Sequence, residues 1–284
     1  MSSRAMVTFL AGLFLGTGGC FGGTGPDSGG GAGEPPPSGK SAAPAPPEVR
    51  HPAFLVYEIT GRKTVADDLG NKREAKVAQR ISASAKALRT EDLNSAAVTI
   101  IRLDRKVMWQ LDGERRAWRE ATFGELARQV EGVRKVLALS LKDESLGAEK
   151  RRRLELALGL RQPKVEVKTD PQGAELLGHK CRHVSYYEDG ELRVQEWAAE
   201  DLASPCDLAE VQRLTGDFSA GLLEERRRRK GFALKTKVFG RLPTAPQAIE
   251  TEVTKLETPE KLDPETFDIP KGYTQLKAPE RREE

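Results

Sequence analysis

The chain has 284 residues, of which 31% are charged, and its formal net charge is +3. Because positive and negative side chains nearly cancel, the composition argues against a nucleic-acid-binding protein, which typically has a strong basic excess. Only 6% of the residues are aromatic, so the core must consist mainly of aliphatic side chains, and the part after residue 50 is long enough for one core of ordinary size.

The amino-terminal residues are typical of an exported protein. Arg4 precedes the mostly apolar run 5–15, and small residues follow directly before Cys20. This order predicts a secretory signal over residues 1–19, because the apolar run is too short for a stable membrane-spanning helix.

A cysteine directly after small residues resembles the lipobox of bacterial lipoproteins, although Thr17 stands where the usual lipobox has leucine. The resemblance implies cleavage before Cys20 and lipidation of its sulfur, and several acyl chains anchor a protein firmly without a transmembrane helix. The alternative is ordinary signal cleavage, which leaves a free thiol. The sequence therefore predicts a membrane-anchored lipoprotein that faces the periplasm or the cell surface, at the outer membrane if the host has two membranes.

Residues 20–50 are predicted to form a tether between the lipid and the folded domain. Glycine, proline, serine and alanine dominate this stretch, and such a composition cannot bury a core. About thirty such residues reach on the order of 30 Å as a coil. Residues 51–284 are predicted to form a single globular domain.

The first part of that domain is predicted to be an antiparallel meander. Residues 53–61 (AFLVYEITG), 98–103 (VTIIRL) and 106–111 (KVMWQL) are rich in β-branched, aromatic and aliphatic side chains. In the last of these stretches, alternation places Val107, Trp109 and Leu111 on one side of the strand. The Asp112-Gly113 pair is a hairpin signal.

Helices are expected next. Thr122 and Glu125 have the spacing of a capping box, and apolar residues then recur every three or four positions to residue 141, as in an amphipathic helix. A short helix is predicted over residues 146–158, and a third begins at Asp207. Between these two helices, the Asp189-Gly190 pair is the strongest hairpin signal in the chain. Two further strands are predicted over 232–239 and 248–256.

The order of strands, helices, hairpin, helix and strands predicts a mainly antiparallel β-sheet covered by about three helices on one side, an α+β fold.

Two cysteines remain if Cys20 is lipidated. In an exported protein, Cys181 and Cys206 are expected to pair as a disulfide; the loop of roughly 25 residues would give about 3 kcal/mol. A competing interpretation uses the alternation of His179, Cys181 and His183, which places three metal-ligating side chains on one face of a strand. Because a fourth ligand is missing, no metal site is predicted.

No catalytic motif is evident in the sequence. The glycine-rich residues 22–32 lie in the tether, and the chain has only three histidines. It contains no Gly-x-Ser-x-Gly elbow and no His-Glu-x-x-His pair. The sequence therefore predicts a protein that is not an enzyme and needs no cofactor.

Three stretches resemble a domain-of-unknown-function family of exported bacterial lipoproteins. They are TIIRLDRKVMWQLDGERRAWREATFGEL from residue 99, the segment from Gly178 to the QEWAAEDL strand, and the ending FDIPKGYTQL. The family is similar to the LolA/LolB group of lipoprotein carriers, which implies an unclosed antiparallel half-barrel with helices on its concave face.

The resemblance implies a protein that binds lipid or another hydrophobic ligand in the half-barrel hollow. The expected wall residues are Ile101, Leu103, Val107, Trp109 and Leu111. The alternative is a structural or interaction lipoprotein without a ligand, which presents its surface to an envelope protein partner. A filled hollow and a large exposed apolar patch would favour this second hypothesis.

Overall fold

The structure, a computed structural model, describes residues 48–66, 72–207, 212–213, 218–229, 231–240 and 248–276. The predicted signal, the lipidation site Cys20 and the tether up to residue 47 lie outside these residues. Among the described residues, no helix combines the length and the apolar character needed to cross a bilayer.

The described residues form one large sheet of twelve strands. The strands are β1 Phe54–Ala66, β2 Lys72–Ser84, β3 Ala87–Asp92, β4 Ala97–Arg102, β5 Val107–Asp112, β6 Ala117–Thr122, β7 Val165–Leu176, β8 His179–Glu188, β9 Glu191–Ala199, β10 Phe232–Phe239, β11 Ala248–Glu257 and β12 Thr274–Gln275. Their order in the sheet is β12-β6-β5-β4-β3-β2-β1-β11-β10-β9-β8-β7. All neighbouring strands are antiparallel except β12 and β6, which are parallel.

Among the described residues, three α-helices lie outside the sheet: α1 Phe123–Ser140, α2 Ala148–Ala157 and α3 Ala220–Arg228. The capping box that the sequence predicts for α1 is confirmed. The Glu125 backbone N–H donates to Thr122 Oγ1 at 3.1 Å, and the Thr122 N–H donates to the Glu125 carboxylate at 2.7 Å. The predicted start of the third helix lies partly outside the described residues, and α3 begins after the cap residue Ser219.

The hairpin predicted at Asp189-Gly190 is also confirmed. These two residues join β8 to β9 with φ angles of 50° and 83°, as a two-residue type I′ turn requires. Between β5 and β6 the connection is longer, and Arg116 rather than Gly113 adopts the left-handed conformation, with φ of 45°.

The main core lies on one face of the sheet and takes side chains from both halves of the chain. Its largest fully buried members include Leu55, Tyr57, Leu88, Met108 and Phe232. Leu202 and Cys206, which follow β9, close this core together with Phe123 and Leu126 from the first turn of α1. A smaller cluster lies between α3 and strands β8 and β9.

The opposite face of β4, β5 and β6 is covered by the carboxy-terminal tail. Trp109 and Leu111 are buried there with Ile100. Side chains of the tail pack on them: Phe267 from the 3-10 helix Pro264–Phe267, then Ile269 and Tyr273. The tail then pairs with β6 as β12, so this sheet is covered by chain on both faces.

The predicted LolA-like half-barrel covered by about three helices is wrong. The sheet is a twelve-stranded, unclosed, mixed sheet, because β12 adds a parallel strand. The helices do not line one concave face either. The principal strand contacts of α1 are with β6 and those of α3 are with β7, so the two helices pack near opposite ends of the sheet.

Candidate interaction surface

The five residues predicted to line a ligand-binding hollow do not form one wall. Directly opposed residues of antiparallel strands share a face, and Ile101 opposes Met108 whereas Trp109 opposes Ile100. Ile101 and the partly buried Leu103 therefore belong to the main core. The remaining three lie on the tail-covered face: Val107, Trp109 and Leu111.

Trp109 is held in place by its neighbours on that face. Its indole N–H donates to the Glu120 carboxylate at 2.8 Å. Its ring meets the Trp118 ring edge-on, with 6.3 Å between the ring centres. These contacts, together with the tail, account for Trp109 as a packed structural residue rather than as a ligand-binding one.

Both cysteines of the predicted disulfide are buried free thiols in the structure. Cys181 and Cys206 belong to the same main core cluster, and their pairing stays a prediction for the oxidised protein. Burial raises the pKa of the Cys181 thiol to about 11. Burial, with a smaller contribution from Asp207, raises the pKa of Cys206 to about 12. As thiols, both are expected to be inert while the domain is folded.

The reduced protein is expected to lose stability at alkaline pH because of these thiols. Their pKa values are raised on folding, so their contribution is complete below the unfolded value of about 8.5 and is lost as pH rises toward 11 to 12. Urea unfolding between pH 8 and pH 10.5 measures this loss. The Cys181→Ala, Cys206→Ala double variant should show a flatter decline; an equal decline in both proteins would contradict the assignment.

The three alternating residues that were considered as metal ligands, His179, Cys181 and His183, are not brought together at one ligand site. The Cys181 side chain lies in the core, whereas His179 Nδ1 is 2.8 Å from an Asp201 carboxylate oxygen. The His183 ring stacks on Trp197 with 4.4 Å between ring centres. No group of three or more metal-ligating side chains occurs in the part of the chain that the structure describes.

Asp201 fastens the start of the folded domain to the sheet. Besides His179, its carboxylate accepts a hydrogen bond from the Arg50 guanidinium at 2.8 Å. The backbone N–H of Arg50 donates to the Asp201 carbonyl, and the Ala203 N–H donates to the Arg50 carbonyl. Burial alone would raise the pKa of Asp201, but the hydrogen bonds from His179 and Arg50 outweigh it and lower that pKa. The predicted tether therefore joins the domain at the carboxyl end of β9.

Helix α1 leaves most of its length outside the core. Only its first turn is buried, at Phe123 and Leu126. Near its other end, Val136 and Leu139 are 67% and 61% exposed. These two residues are three positions apart and therefore neighbours on one side of the helix. We call this pair, with the exposed Lys135 beside it, the α1 tip.

The α1 tip lies toward the β8–β9 turn, at the far end of β9 from Arg50. Just beyond the tip, the Leu141 carbonyl accepts a hydrogen bond from Arg151 of α2 at 3.0 Å. The next residue, Arg152, pairs with Glu191 at 2.8 Å and with Asp189 at 3.6 Å, at the β8–β9 turn. That turn and the Arg50 attachment lie at opposite ends of β9.

Sequence reasoning identified the helix but missed its exposed side. The predicted apolar stripe runs to residue 141, whereas Val130 and Val133 in the middle of α1 are only half-buried. A helical projection gives the missing signal, because Leu139 falls on the side opposite that stripe and Val136 on its flank. Apolar residues on a polar side are the sequence feature that indicates an exposed contact surface.

Comparisons with known proteins do not assign a family. No protein-family model matches the chain, and a search of curated proteins finds no significant match. One similar solved structure is the crystal structure of an uncharacterized conserved protein from Thermus thermophilus. It has 9% sequence identity and a TM-score of 0.39 over 79% of this chain and 90% of that one.

Two structures of PNGF-II are also similar, with 10% and 13% identity and TM-scores of 0.35 and 0.32. They match 80% and 79% of this chain, which spans only 32% and 31% of theirs, about a third of PNGF-II. All three TM-scores are too low to support an inference about fold or function, so this chain is similar to these proteins only in a loose structural sense.

Proposed function

We propose that the protein is a non-enzymatic, lipid-anchored interaction protein of the cell envelope that binds a partner protein through the α1 tip. The observation that carries this proposal is the exposure of Val136 and Leu139 on a helix that the fold holds away from the core. The matching surface on the partner would be an apolar cleft for these two side chains, with an acidic group opposite Lys135.

The position of the tether favours a partner protein over the membrane as the occupant. A lipid at Cys20 and about thirty coil residues would place Arg50 within on the order of 30 Å of the bilayer. The nine residues of β9 add about 30 Å between that attachment and the β8–β9 turn. With the attachment toward the bilayer, the α1 tip would point into the envelope space, where another protein can reach it.

The carrier hypothesis receives less support. It needed an apolar hollow lined by the five predicted wall residues, and these are divided between the main core and the tail-covered face. Their neighbours are other side chains of the protein. The interaction hypothesis asked for a filled hollow and a large exposed apolar patch, and the α1 tip supports it with a small patch of two exposed apolar side chains.

A photoreactive amino acid placed at position 136 in the living host tests the proposal. We expect one discrete crosslinked protein, identified by mass spectrometry, and none from the control position Leu177. This control is also an exposed leucine, at 46%, but it lies in the β7–β8 turn at the tether end. Crosslinks only to lipid, or the same proteins from both positions, would contradict the proposal.

Matched variants separate binding from folding. The double change Val136→Asp and Leu139→Asp replaces exposed side chains and should alter the free energy of unfolding by only about 0.5 kcal/mol. It should nevertheless abolish the crosslink from a probe at Lys135. Cys20→Ser tests the anchor separately, because it should release the protein from membranes while leaving urea unfolding unchanged.

A further inference from the structure

Strand β7 is at one end of the sheet, and among the described strands only β8 pairs with it. At its start, the Asp189 backbone N–H donates to the Lys164 carbonyl at 2.9 Å. Hydrogen-bonding groups point alternately to the two sides of an antiparallel strand. The even-numbered residues up to 170 therefore point their backbone groups toward β8, and the odd-numbered residues point theirs outward. Such an outward row is a template for pairing with another strand.

The sequence along this edge is self-complementary. Residues 163–171 read PKVEVKTDP, with a valine at the centre and a proline at each end. When two copies of this stretch pair antiparallel about the central valine, Glu166 of one copy lies opposite Lys168 of the other. Lys164 lies opposite Asp170 in the same way, and twofold symmetry makes each pair occur twice. Opposite charges directly across from each other stabilise a pair of strands.

The outward backbone groups fit the same register. Val167 lies on the twofold axis opposite its own copy, and Val165 lies opposite Thr169. Because all three residues point their backbone groups outward, these opposed positions exchange about six hydrogen bonds. The next outward position at each end is a proline, which has no N–H to donate. The two prolines therefore confine the pairing to residues 164–170.

The charged side chains of this stretch are accessible to a second copy. Val165 and Val167 pack against the cluster beneath α3, and side chains alternate along a strand, so the charged residues lie on the other face. Glu166 is 41% exposed and Asp170 is 49% exposed. Within one copy, Glu166 pairs with Lys164 at 2.8 Å. An exposed pair of this kind contributes little, so the carboxylate can bind a second lysine.

Helix α3 is placed so that two copies can meet at β7. Its Arg226 forms a buried ion pair with Glu196 of β9, with 5% of each side chain exposed. Leu222 is buried in one cluster with Tyr186 of β8, and the residue that caps α3 hydrogen-bonds to Thr169 of β7 at 3.1 Å. These contacts centre α3 over β8. In a pair of copies, the two helices would then be three strand spacings apart, about 14 Å, and helices of about 10 to 12 Å diameter fit that separation.

We propose that the protein forms a twofold homodimer in which the β7 edges pair over residues 164–170, so that the two sheets become one continuous sheet. The partner is a second copy of this chain rather than an unrelated peptide, because the order of charges in the stretch is complementary to its own reverse. This interface is separate from the α1 tip and does not depend on it. The dimer would present two α1 tips in one assembly.

Sedimentation velocity of the full chain carrying Cys20→Ser, over a range of protein concentrations, tests the proposal. We expect a reversible equilibrium between monomer and dimer. Glu166→Lys and Lys168→Glu each place like charges opposite each other at two symmetric positions and should weaken dimerisation about tenfold. The double variant with both changes restores opposite charges and should dimerise as the unchanged protein does.

The matched control is Glu175→Lys. It makes the same charge change at an exposed position of β7 beyond Pro171 and should leave the dimerisation constant unchanged. Urea unfolding of each variant confirms that the domain is folded.

A cysteine crosslink tests the register. Val167→Cys should give a disulfide-linked dimer on mild oxidation, because the two copies of this position would have Cα atoms about 5.5 Å apart. Thr169→Cys is the control, since its two copies would be about 13 Å apart and should not crosslink. A monomer at every concentration, a double charge variant as weak as the single variants, or equal crosslinking at both positions would overturn the proposal.

Discussion

Replacing Glu196 with glutamine is expected to lower the free energy of unfolding by about 3 to 5 kcal/mol. The change preserves the shape of the side chain but removes its charge. The glutamine amide oxygen can still accept the two hydrogen bonds from Arg226. It carries no charge, however, so the Arg226 guanidinium would be buried beneath α3 without a negative partner. Tyr186 would lose a charged acceptor in the same step.

Urea unfolding followed by circular dichroism measures this effect. The double variant Glu196→Leu, Arg226→Met should be more stable than the single variant, because it removes both buried charges. Glu224→Gln is the control. Both side chains of the Glu224–Arg228 pair are exposed, so this pair should contribute at most about 1 kcal/mol. A loss below about 1 kcal/mol for Glu196→Gln would show that the pair is not buried as described.

Replacing Phe232 with alanine is expected to cost about 3 to 5 kcal/mol. Phe232 is fully buried in the main core and meets the Tyr57 ring edge-on, with 5.1 Å between ring centres. Tyr57 lies on β1 and Phe232 on β10, so these rings connect the two halves of the sheet across β11. Truncation removes the aromatic contact and leaves a cavity that a close-packed interior fills only in part.

The matched control is Phe239→Ala on the same strand. Phe239 is half-buried, with Lys237 placed over its ring at 5.6 Å, so its truncation should cost less than half as much. Thermal and urea unfolding of both variants check the difference. Equal losses would mean that Phe232 does not occupy the centre of the core.

Local signals in the sequence predicted the elements that depend on few residues. The Asp189-Gly190 turn was predicted because both positions need positive φ, which these residue types tolerate. The capping box was predicted because Thr122 and Glu125 satisfy each other's backbone groups within one helical turn. Neither feature depends on distant parts of the chain, so its residues suffice to specify it.

Which of the predicted wall residues share a face of the sheet depends on how β4 pairs with β5. This pairing register is not visible in either strand alone. The four residues 103–106 connect β4 to β5, and an even number makes odd positions of β4 oppose even positions of β5. Ile101 therefore shares a face with Met108, not with Trp109. A shift of one residue moves a whole strand face to the other side of the sheet, which is why the predicted wall was wrong.

The exposure of α1 could not be predicted from its periodicity. An apolar stripe shows that one side of a helix can be buried, but not how much of it meets another element. Here the sheet and the residues after β9 cover only Phe123 and Leu126 fully. The position of β1 between β2 and β11 could not be predicted either, because the pairing of β1 with β11 joins segments almost two hundred residues apart.

That central placement of β1 sets the order in which the protein can assemble. As the chain is made amino end first, β1 is available early and can form a hairpin with β2, but its other edge must wait for β11. Pairing over such a separation pays a large loop-closure entropy and is slow. Until then the free edge of β1 stands open to other chains, so a chaperone that protects strand edges would be most useful between the synthesis of residue 66 and that of residue 257.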